Sequence, residues 1–339
     1  MFRVIQNRWF VISLAVLIAT GLTLGARLEE SSVAALTGFI EPRIWLVTAL
    51  VLFLMSFSLN SGQLAKSFQS PAPVIWAFAV NFGFIPLLGW GLMNLQLQPD
   101  FRYGLIIACC VPCTMAAASV WTRKAGGNDA VALLVTVTTN GLCFLLTPFW
   151  LKLAAGSDVQ LDLWWIVRRL VYSVLVPAVV GQLARLIPAA ARFATRHKTP
   201  IGVVAQACIL TIVFSAACSA GGRLGGLDSA PSMSSLAVVW GSCILVHLAA
   251  MVVAATGARG FGFSRPDWVA VAFAGSQKTL PVGVLLATDP QMFGNPDLLG
   301  PGVGIPFAVF PMLLYHASQL FIDTAIADRF RKRGEAHEM

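Results

Sequence analysis

Ten apolar runs, each long enough to cross a lipid bilayer, follow one another along the 339 residues of this chain. A membrane helix needs about 20 mainly apolar residues. Only 11% of the residues are charged and 57% are hydrophobic, whereas about 25% are charged in an average soluble domain. The sequence therefore predicts an all-α polytopic membrane protein, a single membrane domain with short connections between its helices. The ten predicted spans lie near residues 9–25, 44–61, 72–97, 102–122, 129–154, 163–186, 200–221, 232–258, 266–287 and 303–327.

The distribution of positive charge predicts the orientation of these spans. The termini and the loops on their side of the membrane hold 15 Lys and Arg residues, the loops on the other side hold 7, and Lys278 lies within a span. Cytoplasmic loops carry the excess of Lys and Arg in membrane proteins. We therefore expect an integral plasma (inner) membrane protein with both termini in the cytoplasm. The net charge of +8 is then explained by topology and by contact with anionic lipid, not by nucleic-acid binding.

One charged residue lies where a membrane protein rarely carries charge. Lys278 stands midway along the apolar run from Trp268 to Leu286, among Gly, Ser, Gln, Thr and Pro residues. An ionisable group at membrane depth is costly and usually marks a pathway or a binding site. Polar and helix-breaking residues are tolerated there only inside the protein or beside a wet cavity. This combination predicts a transporter.

Two of the ten spans are predicted to be broken. The fourth contains Pro112, and the ninth contains Gly275 and Pro281. Proline removes a backbone donor and frees a carbonyl group. Broken helices at matching positions in the two halves of a chain are typical of inverted repeats, with the binding site near the midplane. We therefore predict two inverted five-helix repeats, residues 1–155 and 156–339, in which broken helices 4 and 9 meet.

Other polar residues lie at a similar depth in several spans. Residues of this kind bond a neighbouring helix or bind an ion or a substrate, and both roles fit the sequence. The histidines of the eighth and tenth spans are interpreted as helix contacts, because no second His, Cys or carboxylate stands beside either at the spacing of metal ligands. The candidates for ion or substrate binding are Asn81, Thr114, Ser119, Thr138, Asn140, Ser276, Gln277, Lys278, Thr279 and His316.

Acidic residues are expected only near the ends of the spans. Asp267 and Asp289 lie at the ends of the ninth span, and Asp129 and Asp323 lie near the ends of theirs. An intramembrane enzyme needs a nucleophile and a base, or metal ligands, at one depth. We therefore predict that the chain is not an enzyme and has no cofactor. Without a carboxylate at its depth, Lys278 is expected to contact carbonyl groups at half-helix ends, Asn81 and Gln277, or an anionic substrate.

Two stretches of the sequence resemble a known family. The first covers residues 111–130, from Val-Pro-Cys-Thr to Arg-Lys-Ala-Gly-Gly-Asn-Asp-Ala, and continues over residues 142–148. The second covers residues 273–280, Phe-Ala-Gly-Ser-Gln-Lys-Thr-Leu. Together they resemble the bile acid:sodium symporter superfamily and are most similar to its SBF-like branch, whose members are often labelled sodium/bile acid cotransporters. The resemblance covers nearly the whole chain.

The resemblance implies how the helices are arranged. Spans 1, 2, 6 and 7 would form a panel, and spans 3–5 and 8–10 would form a core in which spans 4 and 9 cross. A substrate would bind between panel and core and would be transported by alternating access. The partners implied are a small organic anion and the lipid bilayer.

The resemblance also implies two sodium sites that share a carboxylate of span 9. Polar groups of spans 4 and 5 complete the first site, and a Gln of span 3, backbone carbonyls and a Gln of span 9 complete the second. In this sequence Phe273 stands in the place of that carboxylate, Ala118 replaces a hydroxyl ligand, and Lys278 replaces an Asn. At an effective dielectric constant of about 20, two like charges roughly 5 Å apart repel by about 3 kcal/mol. An ammonium group beside the site therefore opposes sodium binding. The residues that match sodium ligands by motif are Asn81, Ser119, Thr138 and Gln277.

The leading hypothesis is a secondary-active transporter of small organic anions, with three versions of its coupling. Lys278 stands permanently where sodium would bind, or it loses and regains a proton, or sodium binds at a rearranged site. A hypothesis from another class is a membrane regulator that uses the same fold without transporting a solute.

Overall fold

Helices make up all the regular structure of the residues that the computed structural model describes, which are 2–59, 71–115, 117–156, 161–226, 231–289 and 307–338. Seven segments of this part are long and apolar enough to cross a membrane, and the chain is an integral membrane protein. The other three of the ten predicted spans correspond to the first helix, to a helix pair of which one ends at Cys110 and the other begins at Ala117, and to a last helix with a charged end. The seven segments are Ser31–Ser58, Pro71–Met93, Asp129–Ala155, Leu163–Ala184, Lys198–Gly222, Met233–Gly260 and Arg265–Ala287.

The α-helices are numbered here along the described residues. Two π-helical segments, Val80–Phe84 and Val171–Leu175, join α4 to α5 and α9 to α10. The helices are α1 (Phe2–Arg27), α2 (Glu30–Thr37), α3 (Ile44–Ser58), α4 (Pro71–Ala79), α5 (Ile85–Met93), α6 (Pro99–Cys110), α7 (Ala117–Lys124), α8 (Asp129–Ala155), α9 (Leu163–Leu170), α10 (Val176–Ala184), α11 (Pro188–Arg196), α12 (Lys198–Gly226), α13 (Met233–Gly260), α14 (Arg265–Ser276), α15 (Leu280–Ala287) and α16 (Val309–Glu338).

The fourth and ninth predicted spans are both interrupted. α6 ends at Cys110, the backbone of Val111 is extended, and α7 begins at Ala117. α14 ends at Ser276, and α15 begins at Leu280 after a short extended segment. Each span therefore consists of two half-helices.

The two interruptions touch each other through the main chain. The N–H of Thr279 donates to the carbonyl oxygen of Pro112 at 2.9 Å. Proline lies at both places, since Pro112 is inside one interruption and Pro281 is near the start of α15. Proline removes a donor within a helix but is well suited to the first turn of a new one. The four half-helices therefore have ends in a common region.

The segment Val80–Phe84 is irregular for a related reason. The N–H of Ile85 bonds to the carbonyl of Val80, five residues earlier, as in a π-helix. Pro86, the next residue, has no N–H to donate. The carbonyl of Asn81 therefore lacks both of the helical donors that could reach it.

The long helices form two groups. α1, α3, α10 and α12 pack mainly against one another, whereas α4 to α8 and α13 to α16 form the second group. α1 and α12 approach so closely that a Cβ atom on Gly25 would clash with the carbonyl oxygen of Cys218. Small residues are the usual means by which membrane helices reach such contact. We call the first group the panel and the second the core.

Candidate functional site

The ammonium group of Lys278 lies between the broken helices and is fully buried. Its Nζ donates to the carbonyl oxygen of Asn81 at 2.7 Å, to the side-chain Oδ1 of Asn81 at 3.1 Å and to the carbonyl oxygen of Val111 at 2.8 Å. An ammonium group has three donors, so each of them has an acceptor. The ring of Phe82 lies 5.1 Å from Nζ and adds a cation–π contact. All of these partners are neutral.

The π-helical segment explains why the carbonyl groups of Asn81 and Phe82 are available. The Asn81 carbonyl has no helical donor and accepts from Lys278 instead. The Phe82 carbonyl precedes Pro86 by four residues, so proline leaves it without an N–H, and the indole of Trp150 donates to it at 2.7 Å. Both freed carbonyls thus have partners from other helices, as membrane depth requires.

The break after α6 satisfies its carbonyl groups in the same way. The carbonyl of Cys110 accepts from the hydroxyl of Thr147 at 2.7 Å, and that of Cys113 accepts from the amide of Asn140 at 2.8 Å. The carbonyl of Thr114 accepts from the hydroxyl of Thr136 at 3.4 Å. The carbonyl of Val111 accepts from Lys278, and that of Pro112 accepts from the N–H of Thr279. All five successive carbonyls of residues 110–114 therefore have a donor from another helix or from the second break.

Two side-chain amides hold the break after α14. The Nδ2 of Asn81 lies 3.3 Å from the carbonyl of Gly275 and 3.0 Å from that of Gln277. Gln319 accepts from the N–H of Lys278 and donates to its carbonyl, both at 2.9 Å. Asn81 therefore contacts both the ammonium group and the backbone that carries it.

The electrostatic result is a cation bound by oxygen atoms. Val111 follows the C-terminal end of α6, and Lys278 follows the C-terminal end of α14. C-terminal helix ends carry a partial negative charge that favours a cation. Carbonyl and amide oxygens are also the ligands that a bound alkali ion would receive, so the ammonium group has the surroundings of such an ion.

Asn81 and Gln277, which match ligands of one sodium site, are in contact, because Nδ2 of Asn81 lies 3.0 Å from the carbonyl oxygen of Gln277. Ser119 donates to Asp129, which also pairs with Arg123 at 2.9 Å. Thr138 is only half-buried, and its neighbours Thr136, Thr139 and Asn140 make the contacts with the break. The Oδ1 of Asn81 accepts from Lys278, while the side-chain Nε2 of Gln277 donates to Asp323. The position of Phe273 is also apolar, since its buried ring lies among Ala125, Met251, Val269 and Ala272.

Our expectation for the acidic residues was wrong at Asp323. This side chain is fully buried, accepts from Nε2 of Gln277, and lies 2.9 Å from Nε2 of His247. Gln277 therefore contacts this carboxylate and not the ammonium group of Lys278. The expectation failed because α16 continues beyond the predicted span, so that Asp323 lies deeper than the hydropathy pattern indicates.

Sequence reasoning also missed the partnership of His247 with Asp323. The two residues come from different helices, α13 and α16, so no local spacing relates them. One signal was present within α16: His316, Gln319 and Asp323 are separated by three and four residues and therefore share a helix face. All three are buried in the core.

A cavity of about 170 Å³ lies between panel and core. α1, α3 and α12 line it from the panel, and residues of both breaks line it from the core. Thr114 and Ala117 flank the start of α7, whereas Thr279 and Pro281 flank the start of α15. Other lining residues include Trp9, Met55, Trp121, Gln206 and His316. The cavity is therefore mainly apolar, with a few polar groups.

Hydrogen bonds fix the tautomer of His316, which lines this cavity. The N–H of Lys278 needs an acceptor, so Oε1 of Gln319 faces it and Nε2 of Gln319 lies on the other side. That Nε2 is 2.7 Å from Nδ1 of His316. Because an amide nitrogen can only donate, Nδ1 of the neutral ring is the acceptor and Nε2 carries the hydrogen. The imidazole thus has an N–H donor for a ligand in the cavity.

The chain matches known proteins over nearly its full length. The model of the SBF-like CPA transporter family matches residues 8–332. An uncharacterized protein of Pseudomonas aeruginosa is 29% identical over 82% of this chain and 82% of its own length.

Two further relatives carry transporter names. A protein of Arabidopsis thaliana named "Probable sodium/metabolite cotransporter BASS4, chloroplastic" is 30% identical over 72% of this chain and 56% of its own length. "Sodium/bile acid cotransporter 7" of Rattus norvegicus is 24% identical over 95% of this chain and 92% of its own length.

Proposed function

The chain belongs to the SBF-like CPA transporter family and is a membrane transporter, not an enzyme; from that membership we propose that it is a secondary-active transporter of small organic anions that works without sodium. Its relatives are named sodium cotransporters. Only the cation at the crossing of the broken helices differs from what those names say, because Lys278 takes the place of sodium there.

One observation supports transport without sodium: three oxygen acceptors bind the ammonium group of Lys278. A covalently attached cation at this place satisfies the freed carbonyls that an alkali ion would otherwise satisfy. A sodium ion would have to displace it or bind beside it against like-charge repulsion. None of the motif-matched residues is itself a carboxylate, since Phe273 lies in an apolar cluster, and the carboxylate of Asp323 beside Gln277 is paired with His247.

The cavity supports an anion as the substrate. The half-helices α7 and α15 both begin at its wall, and helix N-termini favour negative charge. His316 adds an N–H donor, while Trp9, Met55 and Trp121 supply apolar surface. The volume of about 170 Å³ is below the roughly 300 Å³ or more of sites for drug-sized ligands. In this conformation the cavity therefore suits a small anion with a short apolar part.

The architecture proposed for this activity is ten spans in two inverted repeats, residues 1–155 and 156–339, in the plasma (inner) membrane with both termini in the cytoplasm. The breaks after α6 and α14, which lie one in each half, support the repeats. The charge distribution of the loops supports the orientation.

Alternating access is supported by a polar contact between the core and α9, which continues through Val171–Leu175 into α10 of the panel. At the far end of α15 from the cavity, the carboxylate of Asp289 pairs with Nε of Arg169 at 2.8 Å and accepts from the indole of Trp165 at 3.2 Å. The guanidinium also lies 5.9 Å from the ring of Trp45. We propose that these residues close the transporter on one side of the membrane, while the cavity gives access from the other side.

Uptake into proteoliposomes tests the proposed function. Purified protein is reconstituted, and entry of radiolabelled lactate, succinate and taurocholate is followed with sodium or potassium as the cation, with protein-free liposomes as the control. We expect uptake of at least one of these anions at the same rate in both salts. No uptake of any anion, or uptake that requires sodium, would contradict the proposal.

A further inference from the structure

His247 and Asp323 form a pair that the proposed function has not used. His247 belongs to α13, Asp323 belongs to α16, and both side chains are fully buried. Their atoms Nε2 and Oδ1 are 2.9 Å apart. The pair adjoins the break after α14, because Ser276 and Gln277 both contact it.

The hydrogen-bond inventory requires a hydrogen on Nδ1 of His247. This atom lies 3.2 Å from the carbonyl oxygen of Ser276, which also accepts from the hydroxyl of Tyr315 at 3.0 Å. A carbonyl oxygen can only accept. A lone pair on Nδ1 would therefore face another lone pair, and the contact is favourable only if Nδ1 donates.

The same reasoning places one more proton between His247 and Asp323. A neutral ring that is protonated on Nδ1 has a lone pair on Nε2, and an ionised carboxylate has only acceptors. Two acceptors 2.9 Å apart would repel, so one proton lies between them, on either the ring or the carboxyl group. In both cases the pair is neutral as a whole and holds one proton that can be removed.

We infer that His247 and Asp323 are a proton-binding site, and that one proton moves through it for each anion transported. This inference rests on the proposed transport function and names its coupling ion. The proton is taken from one side of the membrane when the pair has access to it and is released to the other side. In the conformation described here the proton is enclosed, since neither side chain is exposed.

Lys278 makes release of this proton feasible. When the proton leaves, the pair acquires one negative charge, and an isolated buried charge is very costly. The ammonium group one residue beyond Gln277 supplies a positive charge near the pair. Proton loss therefore leaves the core with balanced charges, and proton binding leaves it with one net positive charge that an anion can balance.

Other titratable groups lie around the pair. The ring of Tyr315 lies 5.9 Å from that of His247, and Cys243 lies one helical turn before His247 on α13. Phenol and thiol groups are ordinarily neutral near pH 7. His316 bonds to Gln319 on α16, and Lys278 bonds to its three oxygen acceptors.

Contacts between this pair and the break after α14 connect the proton to the half-helices. Asp323 holds the side chain of Gln277, and the carbonyl of Gln277 accepts from Asn81, which binds Lys278. Loss of the proton places a negative charge on the pair, which contacts Ser276 through His247 and Gln277 through Asp323 at the break itself. The protonation state therefore bears directly on the geometry of the half-helices.

Nuclear magnetic resonance of the whole protein tests the site without a substrate. Protein labelled with ¹⁵N-histidine is placed in liposomes, and the four His residues of the chain are compared with a His247→Gln sample to identify the signals of His247. As the pH is raised, we expect Nδ1 to keep its hydrogen while one proton leaves the pair, seen as loss of the hydrogen on Nε2 or, with ¹³C-labelled aspartate, as ionisation of the Asp323 carboxyl group. A pair that loses no proton at either group would overturn the inference.

Two variants with the same chemical change test the coupling. Asp323→Asn should leave Nε2 of His247 without hydrogen at every pH, whereas Asp328→Asn should behave as the wild type, because Asp328 is a partly exposed partner of Lys124. With lactate, succinate and taurocholate as probes, Asp323→Asn should lose uptake driven by a proton gradient but keep exchange of labelled for unlabelled anion. Gradient-driven uptake by Asp323→Asn would overturn the inference. If the wild type transports none of the probes, the proposed function fails, and the ring measurement still decides the proton site.

Discussion

The ammonium nitrogen of Lys278 lies 2.8 Å from the carbonyl oxygen of Val111, the first residue beyond the C-terminal end of α6. The contact joins the two broken spans, one from each half of the chain. Its chemistry is that of a cation at a helix C-terminus, with the cation supplied by the protein. The predictions below follow from this relationship.

Replacement of Lys278 by Met should abolish anion uptake while the protein remains folded. Met keeps the apolar length of the side chain but leaves the carbonyls of Asn81 and Val111 without their donor. Removal of a buried charge offsets part of that loss. Uptake into proteoliposomes and the elution profile of the purified protein are the measurements, and Lys152→Met, at an exposed position, is the control. Wild-type uptake by Lys278→Met would refute the role assigned to Lys278.

Replacement of Lys278 by Arg should also fail to support uptake. The guanidinium group is planar and longer, so it cannot direct single donors to the three oxygens that surround Nζ. Arg also keeps its proton under all ordinary conditions. If Lys278→Arg transports anions with unchanged pH dependence, a proton carried by Lys278 is excluded, and the geometric argument is wrong as well.

Replacement of Asn81 by Ala should destabilise the protein by about 2 kcal/mol or more, the cost of leaving buried polar groups unpaired. Asn81 contacts Lys278 through Oδ1 and the carbonyls of Gly275 and Gln277 through Nδ2. Thermal unfolding in detergent measures the effect, with the exposed Asn94→Ala as the control. Equal unfolding temperatures for the two variants would show that the amide does not hold the break.

Replacement of Arg169 by Gln should loosen the contact between α9 and the end of α15. The variant loses the ion pair with Asp289 and the cation–π contact with Trp45. Hydrogen–deuterium exchange of peptides from α9 and α15 should become faster. The exposed neighbour Arg168 provides the control Arg168→Gln, which should leave exchange unchanged. Equal exchange in both variants would argue against a closing contact there.

Much of the fold could be predicted from the sequence, because long apolar runs and prolines act locally. The interruption at Pro112 and the one next to Gly275 follow from backbone donors that are missing or freed at known positions. Lys278 stood out for the same reason, as a single charge within an apolar run. The structure adds the partners of each freed carbonyl.

The partners themselves were beyond sequence reasoning because they come from distant parts of the chain. Asp323 and His247 lie 76 residues apart, and Asp323 was expected near the end of a span. Thr138 was chosen by motif, although Thr136 and Asn140 on the same helix contact the break. A small rotation of α8 decides which of its hydroxyl groups reaches the site, and hydropathy does not report such a rotation.

The sodium-linked stability of the purified protein tests the central claim most directly, since it needs no substrate. A ligand that binds only the folded protein raises the unfolding temperature. We predict equal unfolding temperatures for the wild type in sodium chloride and in potassium chloride. Phe273→Glu alone should also show no sodium effect, because Lys278 would pair with the new carboxylate, whereas Phe273→Glu with Lys278→Asn should gain one. A wild type that sodium stabilises specifically, and that loses this effect on Ser119→Ala or Thr138→Ala, would contradict the claim that Lys278 replaces the coupling cation.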